Sequence, residues 1–136
     1  NTTGILVNNN SGGIREDYRL SLTDNTGDVW VASADTTAGA DEYVLQAAFQ
    51  ILMPEHSSFT ANDLLSGTVT ACSADTFAAD DNEDGNGQRG LDVTDQSDTG
   101  VVRFERTLWL RLLMPTAITG QPAARFASVT VSAIGG

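Results

Sequence analysis

The sequence predicts an all-β domain, an immunoglobulin-like or jelly-roll β-sandwich of about seven to eight strands. Short segments alternate apolar and polar residues at period two, as in Tyr18-Arg19-Leu20-Ser21-Leu22-Thr23. Turn chemistry separates them: Asp24-Asn25-Thr26-Gly27, Pro54, Pro115 and Gly120-Gln121-Pro122. No heptad or internal repeat runs through the chain. A single-sheet barrel is the alternative with the same elements.

The elements follow in order. Thr3 to Val7 reads as a short strand with Ile5 and Val7 on one face. It leads into a polar, glycine-containing hinge, Asn8 to Gly13. Tyr18, Leu20 and Leu22 point inward from the second strand. Asp28 to Ser33 resumes after a turn, so these two segments are expected to pair as a hairpin. Glu42 to Met53 has helix-compatible composition, yet Tyr43, Leu45, Ala47, Phe49 and Ile51 fall on one strand face before Pro54. A strand is preferred there. Phe59 to Ser66 suggests a short helical turn, and Thr68 to Ala74 a further strand.

Gly100 to Met114 carries the strongest pattern: Val102, Phe104, Leu108, Leu110, Leu112 and Met114 share one face. Arg103, Glu105, Thr107, Trp109 and Arg111 share the other. Arg106 interrupts the inward row, as a bulge or a change of sheet would. Arg125 to Ile134 closes the chain, with Val129 and Val131 inward. The organisation expected is an N-terminal strand and hinge over 1–13, then one sandwich over 14–136 with an acidic loop over 75–98.

Length and charge bound the function. At 136 residues the chain can bury a real core as one domain. Its formal net charge of -11 repels nucleic acid and anionic lipid. All seven basic residues are arginines. The absence of lysine excludes Schiff-base and phosphate-loop lysine chemistry. It also removes the usual charged guard from sheet edges. Cys72 is the single cysteine, so no intrachain disulfide forms, and its strand setting reads as a small buried residue. No run reaches transmembrane length. A chain beginning at Asn1 is read as a processed, secreted or cell-surface form.

The acidic stretch carries the clearest ligand signal. Asp80-Asp81-Asn82-Glu83-Asp84-Gly85-Asn86 has oxygen-bearing residues at the first, third and fifth positions, then a glycine for the bend. Calcium needs several hard oxygens folded around it by such a turn. Asp80, Asn82, Asp84, Asn86 and Asp92 are the candidate ligands. Leu91 stands where a helix-loop-helix site needs glutamate, so a sandwich-loop site is expected instead. A solvated acidic loop without an ion is the competing reading.

Catalytic signals are thin. His56 is the sole histidine, no G-x-S-x-G element exists, and a surface position is expected for it. Zinc needs more histidine or cysteine than the chain holds. No enzyme is expected. Trp109 falls opposite the main apolar face, beside Arg111. There it could stack on a sugar, meet a neighbouring subunit, or pack within the fold. Asn1-Thr2-Thr3 and Asn9-Asn10-Ser11 match the N-glycosylation acceptor pattern.

The segment Asn10-Ser11-Gly12-Gly13-Ile14-Arg15-Glu16-Asp17-Tyr18-Arg19-Leu20-Ser21-Leu22, followed by Trp30, resembles the opening of secreted prokaryotic sandwich domains. Leu108-Trp109-Leu110-Arg111-Leu112, Pro115 and Val129-Thr130-Val131 are similar to their closing half. The layout resembles camelysin-like matrix-fibre subunits and archaeal bundling filaments. That resemblance implies a homopolymer built by donating an N-terminal strand to the next molecule, with Ile5 and Val7 as plugs and Trp109 at a subunit contact. Calcium would then be a structural ion. A carbohydrate-binding or adhesin module is the main alternative, with surface glycans as partners. A viral capsid or tail protein is a third reading.

Overall fold

The computed structural model describes residues 4–24, 30–50, 52–78, 90–91, 93, 105–119 and 126–135. Among these residues the fold is all-β, with seven strands in two sheets. They are β1 (Ile5–Asn8), β2 (Glu16–Asp24), β3 (Val31–Ala32), β4 (Glu42–Phe49), β5 (Thr70–Ala71), β6 (Glu105–Leu113) and β7 (Ala127–Gly135). One sheet has the order β1-β6-β4-β3 and the other β5-β2-β7. The predicted sandwich is therefore what the chain forms, with antiparallel pairing everywhere except β3 on β4.

The core lies where the two central strands face each other. Tyr18, Leu20 and Leu22 of β2 are buried against Tyr43, Leu45, Ala47 and Phe49 of β4, as their alternation predicted. The rings of Tyr18 and Phe49 meet at 5.6 Å between centroids with a 40° tilt, within the range favoured by aromatic pairs. Leu65, Phe77, Val93 and Leu108 complete the cluster.

β4 is buried on both faces rather than one. Its second face holds Val44, Gln46 and Ala48, all at 0% exposure. The segment after β4 packs back onto β4. It carries two short 3-10 turns, His56–Ser58 and Ala61–Asp63; the second lies within the helical turn expected over Phe59 to Ser66, and the first was not anticipated. Gln46 Nε2 donates to Thr60 O at 2.6 Å, and Leu65 N donates to Leu45 O at 2.9 Å. Buried Asp63 ties the turn down by accepting from Thr60 N, Thr60 Oγ1 and Ala78 N. Burial pushes its carboxyl pKa up despite those donors.

Three local expectations are corrected. The hairpin between Tyr18–Thr23 and the segment ending at Ser33 does not form, because β2 pairs with β7 and β5 while β3 joins the opposite sheet. Tyr43 Oη donates to Asp24, and Ala32 N donates to Asp24 Oδ2 at 3.1 Å, so this corner is a link between sheets. Arg106 marks neither bulge nor sheet change. It sits in regular register opposite Val7, with 4% exposure. Of the predicted strand Thr68 to Ala74, only Thr70 and Ala71 enter the ladder.

Candidate functional site

β1 is a four-residue edge strand that, among the described residues, pairs with β6 only. Ile5 lies opposite Leu108, Leu6 opposite Thr107 and Val7 opposite Arg106. Antiparallel partners share a face, so Ile5 and Val7 point to the sandwich interior as expected. Val7 packs on the core. Ile5 remains 49% exposed and outward Leu6 60%. Such a strand buries little apolar surface, so little free energy holds it in place.

Gly4 precedes β1 and lies against Trp109. A Cβ there would stand 2.2 Å from Thr107 Cγ2 and 3.1 Å from the indole ring. The tryptophan therefore covers a glycine on the adjacent strand, a pairing that substitutes an aromatic face for a missing side chain. Trp109 Nε1 donates to Gln50 O at 2.9 Å. Trp109 is thus half-buried and partly committed to the fold.

Immediately after β1 the chain is pinned. Asn9 is fully buried; its Nδ2 donates to Val93 O at 2.6 Å and Ile14 O at 2.8 Å, while Oδ1 accepts from Ser11 N at 2.9 Å. Gly12 and Gly13 then adopt φ of +78° and +104°, a bend that residues with a Cβ resist. The segment between Asn8 and Gly13 is therefore a fixed turn on one buried amide. Any pivot for β1 lies at Asn8. The same contacts occupy the amide that N-glycosylation at Asn9 would require. Nothing in the Asn8-Asn9-Asn10 run distinguishes its middle member in sequence.

β6 places Leu108, Leu110 and Leu112 opposite Phe49, Ala47 and Leu45. All three leucines therefore face inward, as predicted, but only Leu108 is buried. Leu110 is 40% exposed and Leu112 54%. β1 reaches no further along β6 than Leu108 among the described residues. Among the described residues this stretch of the β6 edge is unpaired, and its inward apolar row is left half-exposed.

Met53, Pro54, His56 and Phe59 line an open cleft of about 200 Å³ together with the β6 stretch Trp109 to Leu112, so Leu110 and Leu112 also border it. Arg111 Nη1 donates to Gln46 Oε1 at 2.8 Å, and its buried Nε has no hydrogen-bond partner. His56 is exposed, as expected. Cys72 is buried, and burial pushes its thiol pKa up to about 12, far from the range of a reactive thiolate.

Asp80, Asn82, Asp84, Asn86 and Asp92 lie outside the described residues. Among the described residues no group of three or more His, Cys, Asp or Glu side chains is arranged to hold a metal ion. No described helix is long and apolar enough to cross a membrane. Neither protein-family models, curated proteins nor solved structures give a significant match to this chain.

Proposed function

We propose that this chain is a non-catalytic structural subunit of an extracellular filament or surface layer, assembled by exchange of its N-terminal strand. The observation that carries the reading is the half-exposed inward row of β6, Leu110 and Leu112, beside the weakly held β1. A strand arriving along that edge extends the sheet through its backbone and sets alternate side chains on the row. Full burial of a leucine is worth about 1.5–3 kcal/mol, so covering these half-exposed ones returns roughly 1 kcal/mol apiece.

A neighbour's strand shifted four residues along β6 from the register of the chain's own β1 would set Val7 opposite Leu110 and Ile5 opposite Leu112. With the pivot at Asn8, the eight residues before Asn9 reach about 26–29 Å when extended. That is enough to cross to an adjacent subunit. Calcium held by the acidic loop would serve as a structural ion, neutralising carboxylates that repel one another.

Negative-stain electron microscopy tests the reading on the full chain and on Ile5→Asp/Val7→Asp. Both substitutions keep the chain length and Asn9 intact while putting charge on the plugs. Filaments from the parent chain and dispersed particles from the variant are expected. Dispersed particles from both would sink strand exchange and bring forward glycan binding at the Trp109 cleft. That alternative is read by quenching of tryptophan fluorescence with oligosaccharides.

A further inference from the structure

We propose that β7 is a self-pairing edge, through which two copies of this chain join their three-stranded sheets into one six-stranded sheet. This surface is distinct from the β1–β6 edge, and the inference does not depend on strand exchange.

β7 runs nine residues, Ala127-Ser128-Val129-Thr130-Val131-Ser132-Ala133-Ile134-Gly135, and ends its sheet. Every residue of it pairs with β2. Among the described residues none of its backbone groups hydrogen-bonds to anything else. Among the described residues its second edge is therefore unpaired and presents a row of N–H and C=O groups for pairing. Natural sheets blunt such an edge with lysine, proline, a bulge, an inward charge or a short strand. β7 has none of these: it is long, regular in register, and free of charge and proline.

The charge pattern selects a second copy as the occupant. A chain of net charge -11 repels itself wherever acidic surfaces meet. β7 is a nine-residue strand without a single ionisable side chain, so copies can approach there without opposing carboxylates. Among the described residues the nearest charges lie one strand back, where Glu16, Asp17, Arg19 and Asp24 of β2 pair with Gly135, Ile134, Ser132 and Ala127. In the joined sheet the two β2 strands stand three strand spacings apart, roughly 14 Å. The Debye length is about 8 Å at 0.15 M salt. Screening therefore removes most of that repulsion.

Symmetry fits as well. Two identical antiparallel strands make an isologous contact about a twofold axis. An axis perpendicular to the sheet at Val131 sets Val129 opposite Ala133 of the second copy, and Thr130 opposite its Ser132. Half-buried Val129 and Val131 then continue the inward face of both sheets. The small hydroxyl residues face outward, where cross-strand hydroxyl pairs are favourable.

The test is hydrogen exchange of the 127–135 segment in the full chain, measured at low and high protein concentration, with sedimentation velocity alongside. Slower exchange confined to this segment on concentration, together with a dimer boundary, is expected. Thr130→Glu/Ser132→Glu sets like charges opposite across the twofold, and should abolish the concentration-dependent protection while leaving the circular dichroism and Tm of the monomer unchanged. Thr130→Lys/Ser132→Glu sets opposite charges in the same places and should restore it. Exchange in 127–135 that ignores concentration, or protection that survives the double glutamate, would overturn the proposal. Neither result bears on strand exchange, which is read at Ile5 and Val7.

Discussion

Asn9 concentrates the most structural consequence into one side chain. Its amide bridges the exit of β1, the Gly12-Gly13 turn and Val93, three parts of the chain that share no strand. Asn9→Ala would remove three hydrogen bonds: Val93 O keeps Glu16 N and Ile14 O keeps Ser11 Oγ, but Ser11 N loses its acceptor. A part-buried donor left unsatisfied costs about 1–3 kcal/mol. Urea unfolding should show a loss of that size with an unchanged m-value. A loss below about 0.5 kcal/mol, the range of ordinary surface substitutions, would mean that water takes over the amide's role. The neighbouring Asn8 and Asn10 are exposed, and their replacement by alanine provides the control.

At the scale of elements, β1 and its tryptophan illustrate how a weak strand is kept in place. Gly4→Val would drive a branched side chain into Thr107 and the indole of Trp109, both already closer than ordinary contact. The expected outcome is displacement of β1 and a red shift of tryptophan emission as Trp109 gains water. An unshifted emission maximum would show that the two side chains rotate aside at no cost to the strand. The long strands were legible beforehand because each carries its own period-two signal: β4 and β6 fall within segments read from alternation, and β2 and β7 run one or two residues past theirs. The short pieces were not. One edge of β4 is filled in succession by β3, by Leu64–Leu65 and by Phe77–Ala78. One edge of β2 is filled likewise by Val93, by β5 and by Ser66. A pairing of one or two residues leaves no periodicity to detect, and the expected β2 hairpin failed for the same reason. Its partner contributes only Val31 and Ala32, which pair with Glu42 and Tyr43 in the other sheet.

For the molecule as a whole, electrostatics sets the conditions under which it is stable. Eighteen acidic residues face seven arginines, and the excess repels itself more in the compact state than in the unfolded chain. Raising salt from 0.1 to 1 M shortens the Debye length from about 10 to about 3 Å. Tm should therefore rise with sodium chloride. Calcium at matched ionic strength adds a second arm: a further rise beyond that given by magnesium would support a structural calcium ion. A Tm that falls with salt would mean that attractive ion pairs outweigh the repulsion.

By itself the sequence determined the class of the fold, the inward faces of its long strands, the burial of Cys72 and the exposure of His56. Each of these follows from local alternation or from the chemistry of one residue type. Ile5, Val7 and Trp109 lie on one pair of strands, β1 and β6, and their contact with a second subunit belongs to the proposal. Only the tertiary structure decided that Leu110 and Leu112 stay half-exposed while Leu108 does not, that Arg106 is buried in regular register, and that β7, among the described residues, ends its sheet with an unpaired edge. Exposure and edge position depend on which strands arrive from elsewhere in the chain. Alternation tells a residue which face it occupies, whereas what lies across that face is a property of the assembled sandwich.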